Sequence, residues 1–146
     1  ANAIRPGKTP LSSMSPSIVM KDGKPLLSVG AAGGPRIITS TLQLIINSID
    51  YGMMMDSAVK TAHMCCLTKE QGLELEEGFS PDTIRILKER GHNIKETGDF
   101  GVLLVMPNGI RCEDGVFYPG GTSRVDGGGG VLTKDGTMAV DGLCFL

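Results

Sequence analysis

Two places in this sequence combine residue types that could do chemistry. The first is Pro10-Leu11-Ser12-Ser13-Met14-Ser15-Pro16, where adjacent hydroxyls sit in a loop held by prolines. Ser12 and Ser13 could both donate to one anion, such as a substrate carboxylate, at about 1.5–3 kcal/mol per charge-assisted bond. The same hydroxyls could equally cap local turns. The second place is Gly33-Gly34, between an apolar run and a helical one. Glycine lets a backbone approach a ligand, and the helix that follows points its positive end at the same spot. Two adjacent N–H groups there would make an oxyanion hole, though a plain strand-to-helix turn would look the same. The phosphate-loop pattern GxxxxGK[ST] is absent.

Other reactive residues form no such group. A nucleophilic serine needs a base, and neither His63 nor His92 lies in a recognisable Ser–His arrangement, so both read as structural or surface residues. Cys65, Cys66, Cys112 and Cys144 match no zinc or CxxC spacing and read as free thiols. The apolar flanks of Met64-Cys65-Cys66-Leu67 favour burial there. Asp99, Asp114 and Asp126 fall in loops without metal-ligand spacing, and no cofactor is called for. Glu74, Glu76 and Glu77 read as the solvent face of a strand and its end.

The chain that must position these loops has 146 residues and a net charge of -2. That length suits a single domain spanning residues 1–146, and that charge gives no basic field for nucleic acid. Aromatics are 4% with no Trp, so Leu, Ile, Val and Met must build the core. No apolar run approaches the ~20 residues needed to span a bilayer, and no leader peptide is visible. The sequence opens in a loop-like segment without Met, which reads as a processed, truncated or partial chain.

Periodicity supplies the elements. Ser17–Met20 and Pro25–Val29 flank Asp22-Gly23, a strong hairpin signal. Ile38, Leu42, Ile45, Ile46 and Ile49 recur at helical spacing, with Pro35 in the first turn and Gly52 as the stop. Ile37, Leu42 and Leu44 widen the stripe, which predicts a helix running to about Asp50 and buried deeply between layers. Residues 55–62 read as a short helix and 73–76 as a strand. Ser80-Pro81-Asp82 starts a helix that turns Ile84 and Leu87 inward and ends at Gly91. Residues 92–96 and 102–106 read as strands, Pro107-Asn108-Gly109 as a turn, and 110–118 as the strand returning from it. A last hairpin is expected across Lys134-Asp135-Gly136, after the glycine run 127–130.

At this point the sequence resembles a known family, the small C-terminal subunit of the gamma-glutamyltransferases or glutathione hydrolases. The match rests on Pro6-Gly7-Lys8, on Pro10-Leu11-Ser12-Ser13-Met14-Ser15-Pro16-Ser17-Ile18-Val19, on Asp22-Gly23-Lys24-Pro25 and on Gly33-Gly34 with Arg36-Ile37-Ile38-Thr39. Gln43, Asn47, Asp50-Tyr51-Gly52-Met53, Gly78-Phe79-Ser80-Pro81-Asp82-Thr83 and Gly91-His92 continue it. It is dense to about Val59, fair to His92 and poor beyond.

The resemblance implies an α+β fold of the N-terminal-nucleophile hydrolase type, an αββα sandwich of which this chain holds the C-terminal portion. It implies a self-cleaving precursor whose new N-terminal threonine attacks a gamma-glutamyl amide and forms an acyl-enzyme. Ser12 and Ser13 would hold the substrate α-carboxylate, and Gly33 and Gly34 would supply the oxyanion hole. The partners implied are the large subunit and a gamma-glutamyl small molecule or peptide. Members of the family are mostly periplasmic, secreted or surface-bound. The nucleophile is not in this chain: Ala1 cannot serve and no threonine here has the right context. Thr9, Ala31-Ala32 and Ala62-His63-Met64-Cys65-Cys66 depart from the family pattern. Those departures leave two alternatives open, a family member retained as a binding or assembly subunit, and a related acylase. An uncovered apolar helix also predicts a chain found with a partner or as a homo-oligomer.

Overall fold

The computed structural model describes residues 2–96, 105–125, 128–132 and 138–141. Strands β1 (Ser17–Lys21) and β2 (Lys24–Ala32) form the first hairpin, in the expected place. Asp22 and Gly23 have φ of 50° and 74°. Positive φ at both central residues is what a tight turn between right-twisted strands requires. Ser17 pairs with Val29 and Val19 with Leu27. A 3₁₀ turn, Gly34–Arg36, leads from β2 into helix α1 (Ile37–Ile49), and helix α2 (Met55–Lys60) follows. Next come strands β3 (Met64–Cys65) and β4 (Leu73–Leu75), helix α3 (Pro81–Glu89) and strand β5 (Ile94–Glu96). Ser80 caps α3 by accepting the Thr83 N–H at 3.1 Å.

The turn expected at Pro107-Asn108-Gly109 is not there. These residues lie within strand β6 (Met106–Glu113), which returns as β7 (Val116–Gly120). The reversal is made by Asp114 and Gly115, with φ of 49° and 78°. Proline is tolerated at 107 because β6 pairs there with β2 alone; its ladder to β7 begins only at Gly109. The strand expected at 102–106 falls mostly outside the described residues. Strands β8 (Gly129–Leu132) and β9 (Met138–Asp141) pair as expected, and the turn between them lies outside the described residues.

Strands β1-β2-β6-β7 form an antiparallel sheet in that order, and β3-β4-β5 form a smaller mixed one. Helices α1 and α2 pack on one face of the larger sheet. Leu27 and Val29 from β2 meet Leu44 of α1 and Met55, Ala58 and Val59 of α2 in the core. Fully burying a side chain such as Leu27 or Leu44 contributes about 1.5–3 kcal/mol. A second cluster, Cys65 and Val105 with Ala31 and Leu67, joins the small sheet to the end of β2.

Helix α1 is not buried on all sides. Its inward positions are Ile37, Ser40, Thr41, Leu44 and Ser48, while Ile38 and Leu42 are more than half exposed. Of the stripe that the sequence pattern suggested, Ile37 and Leu44 turn inward, while Ile38, Leu42 and Ile49 are exposed. On the other face of the large sheet Ile18, Met20, Ile110 and Phe117 are exposed.

Opposed glycines let α2 descend onto the sheet. Gly109 and Gly120 are partners across β6 and β7. A Cβ on Gly120 would stand 2.6 Å from the Met55 carbonyl group and 2.8 Å from the Asp56 nitrogen. Both obstacles are backbone and cannot swing aside. Gly120→Ala should therefore cost at least the ~1–3 kcal/mol of an overpacked core. A urea midpoint unchanged by this substitution would show that α2 can lift off freely.

Candidate functional site

The two chemistry-bearing pairs leave the same end of the first hairpin. Ser12 and Ser13 precede β1, and Gly33 and Gly34 follow β2, both opposite the Asp22-Gly23 turn. The β1–β2 ladder ends at Ser17 and Val29, and Ser13 and Gly33 each lie four residues beyond it along the chain. Local hydroxyl contacts hold the serine arm. Ser12 Oγ accepts the Met14 N–H at 3.2 Å, and Ser15 Oγ donates to the Ser13 carbonyl at 3.1 Å. Asn2 Oδ1 accepts the Leu11 N–H at 2.8 Å. The turn-capping alternative for Ser12 is thus realised, yet a hydroxyl that accepts still has its O–H to give.

Gly33 has φ 139° and Gly34 φ 61°, both in territory that favours glycine. A Cβ on Gly34 would meet nothing within 4 Å, so conformation and not crowding demands glycine there. The first turns after the pair carry no acidic residue, which leaves the positive end of the helix uncompensated by a side chain.

A polar seam holds α1 to the small sheet. Arg36 is bidentate on Glu74, with Nε and Nη2 donating at 2.9 and 3.1 Å. This bond raises the Arg36 pKa against the opposing effect of burial. Thr39 Oγ1 donates to Cys65 Sγ at 3.4 Å. Ser40 Oγ and His63 Nδ1 are 3.0 Å apart. The Gln43 amide donates to Met64 O at 2.8 Å and accepts its N–H at 2.9 Å, as a neighbouring strand would.

Behind the seam lies a buried ion pair. Glu76 and Arg124 have side chains 0% and 2% exposed. Arg124 Nε donates to Glu76 Oε1 at 2.8 Å, and its other nitrogens donate to the carbonyls of Val59 and Thr61. Glu76 also accepts the His63 N–H at 2.7 Å. Glu74 and Glu76 are therefore not the solvent face of a strand; only Glu77 is exposed. Their alternation with Leu73 and Leu75 correctly marked a strand. Their burial follows from arginines 38 and 48 positions away, for which the local pattern carries no signal. Arg111, likewise unanticipated, donates to Ser48 O and Met53 O and pins the α1–α2 connection.

The remaining candidates stay apart from the site. His92 is exposed, while His63 is buried as a structural residue would be. Burial first, and Arg124 second, lower the His63 pKa to about 4. Cys65 is buried, Cys66 exposed and Cys112 half-buried, all as free thiols; Cys144 lies outside the described residues. Among the described residues no His, Cys, Asp or Glu group could hold a metal, and no helix is long and apolar enough to cross a membrane. A groove of about 450 Å³ on the open face of the large sheet, lined by Ser28, Gly30, Asn108, Ile110 and glycines 128–130 among others, includes neither pair.

Residues 1–130 match the family model described as gamma-glutamyltranspeptidase. The chain is 46% identical over 112 residues to the glutathione hydrolase proenzyme of Escherichia coli K12, covering 75% of this chain and 19% of that protein. It is 31% identical over 133 residues to the acylase ACY 1 proenzyme of a Pseudomonas species, covering 88% of this chain and 24% of that one. Among solved structures, a mutant gamma-glutamyltranspeptidase of Helicobacter pylori superposes with a TM-score of 0.75 at 38% identity, over 85% of this chain and 67% of that chain. The chain spans about a fifth of the length of the Escherichia coli relative. The structural likeness bears out the N-terminal-nucleophile hydrolase fold expected from the sequence.

Proposed function

Because the chain belongs to the gamma-glutamyltranspeptidase family, we propose that it supplies the substrate-holding part of an enzyme that cleaves gamma-glutamyl amides such as glutathione. In this reading Ser12 and Ser13 donate to the substrate α-carboxylate. The N–H groups of Gly33 and Gly34 receive the oxyanion that forms when the amide carbonyl is attacked. The attacking group is an N-terminal threonine hydroxyl outside this chain, with its own α-amine as base, and the acyl group passes to water or to an amine. The observation that supports the reading is that the serine pair precedes β1 and the glycine pair follows β2, at the same end of the first hairpin. A clamp and an oxyanion hole that serve one small substrate must lie on the same side of the fold.

The uncovered apolar surfaces support a partner. Ile38, Leu42 and Ile49 on α1, and Ile18, Met20 and Ile110 on the open sheet face, are exposed. In a sandwich completed by the large subunit and the preceding segment of the precursor, such surfaces would lie inside. The chain by itself should therefore release no chromogenic amine from a gamma-glutamyl anilide. Assembled with the rest of its proenzyme, it should. Turnover by the isolated 146-residue chain would overturn the reading.

The identity to an acylase proenzyme supports a second reading, hydrolysis of another acyl side-chain amide on the same scaffold. Comparing glutathione, polyglutamate and acyl amides as substrates of the assembled enzyme separates the two.

A further inference from the structure

The reaction proposed above gives no task to His63, which is 1% exposed beneath α1. The ring is bonded through Nδ1 to Ser40 Oγ, and its Nε2 has no hydrogen-bond partner among the described residues. Each surrounding element presents one group to it. Ser40 comes from α1, the Ala58 backbone from α2, Glu76 from the end of β4, and Arg124 from the segment after β7.

We propose that His63 is a positioning residue for the glycine loop: as a neutral ring it ties Ser40, and with it the first turns of α1 and the preceding Gly33-Gly34, to the β3–β4 sheet. The inference rests on the oxyanion reading of the glycine pair. Protonation disfavours this packing at Nε2, the buried end of the ring. A charged ring has two donors: Nδ1–H can still give to Ser40 Oγ, while Nε2 makes no hydrogen bond among the described residues and the Ala58 backbone offsets only part of that cost. The added charge would also stand beside the Arg124 guanidinium, while Glu76 is already engaged by Arg124 and by the His63 N–H. Burial and Arg124 accordingly hold the ring at a pKa of about 4, against the pull of Glu76 and the Ala58 backbone, where an ordinary histidine has 6.5. Between those values the unfolded chain binds a proton that the folded chain refuses. Stability at this locus is full above pH 6.5 and is lost as pH falls toward 4.

The test uses the chain assembled with the rest of its proenzyme. Ser40→Ala should lower kcat on a gamma-glutamyl anilide roughly tenfold with little change in KM, because the lost contact acts on the aim of the N–H groups and not on substrate capture. His63→Asn keeps a neutral amide near the Nδ1 position and cannot titrate. Hydrogen exchange supplies the pH readout, corrected for the intrinsic chemical rate. Between pH 6.5 and about 4.5, the amides of residues 37–44 should open ahead of those of β6 in the wild type, and not in His63→Asn. Unchanged kcat in folded Ser40→Ala, or the same opening in His63→Asn, overturns the proposal. If the variants do not fold, the wild type decides, since parallel opening of α1 and β6 overturns it as well. Gly34→Ala separates this inference from the one beneath it. Full kcat in Gly34→Ala means the oxyanion assignment has failed. Loss in Gly34→Ala with none in Ser40→Ala means only the His63 tie has failed.

Discussion

Arg124→Ala will cost the fold about 3–5 kcal/mol, the penalty for leaving one member of a buried ion pair without its partner. Arg124 and Glu76 are 2% and 0% exposed, so the carboxylate left behind is shut off from bulk solvent. The same substitution strips the Val59 and Thr61 carbonyls of their donors at the exit of α2. A domain has only about 5–15 kcal/mol in hand, so the effect should be visible as poor folding or a much lowered urea midpoint. Removing both charges should be milder than removing one. Arg124→Met with Glu76→Leu leaves no unpaired charge, and such replacements are often neutral or better. Here the double variant still orphans the His63 N–H and two carbonyls, so it should recover part of the loss and not all of it. A single Arg124→Ala variant as stable as the wild type would show that the pair contributes nothing.

Ser12→Ala with Ser13→Ala, made in the assembled enzyme, should lower kcat/KM roughly 10²–10⁴-fold. Two charge-assisted bonds of about 1.5–3 kcal/mol each set that range. The loss should fall mainly on KM, because a carboxylate is held alike in the ground and transition states. Stability should barely move: Ser12 is exposed and Ser13 half-buried, and their contacts are local. That contrast is what distinguishes a clamp from a turn. A double variant with wild-type kinetics places the carboxylate site elsewhere. One with normal kinetics and lowered stability makes Ser12 and Ser13 turn caps and nothing more.

How much was legible beforehand varied from element to element. The hairpin at Asp22-Gly23 was, since two residues with positive φ leave a plain local mark. Asp114-Gly115 carries the same mark, but Pro107-Asn108-Gly109 looked like the stronger interruption. What overrode it is the ladder of β6 to β2, whose partners lie some eighty positions earlier. The strand at 73–75 was legible from alternation, while the burial of Glu74 and Glu76 was not. The helix at 37–49 was legible in extent, but not in its burial: Ile37 and Leu44 turn inward while Ile38 and Leu42 stay exposed, because a wide apolar stripe does not say which edge turns inward.

The serine and glycine pairs stand where the chain's own sequence put them. Proline, glycine and hydroxyl side chains act on backbone within a few residues, so the loops, the tight turn between them and the helix start are local consequences. The string Pro10-Leu11-Ser12-Ser13-Met14-Ser15-Pro16 likewise carries the family resemblance in the sequence alone. The tertiary structure alone decided the polar contacts that join the segments behind them: Arg36 on Glu74, Ser40 on His63, and Arg124 on Glu76. Each contact joins residues more than twenty positions apart. Charge and hydrogen-bond complementarity of that kind depends on which surfaces the packed sheets bring together, and no periodicity along the chain records it.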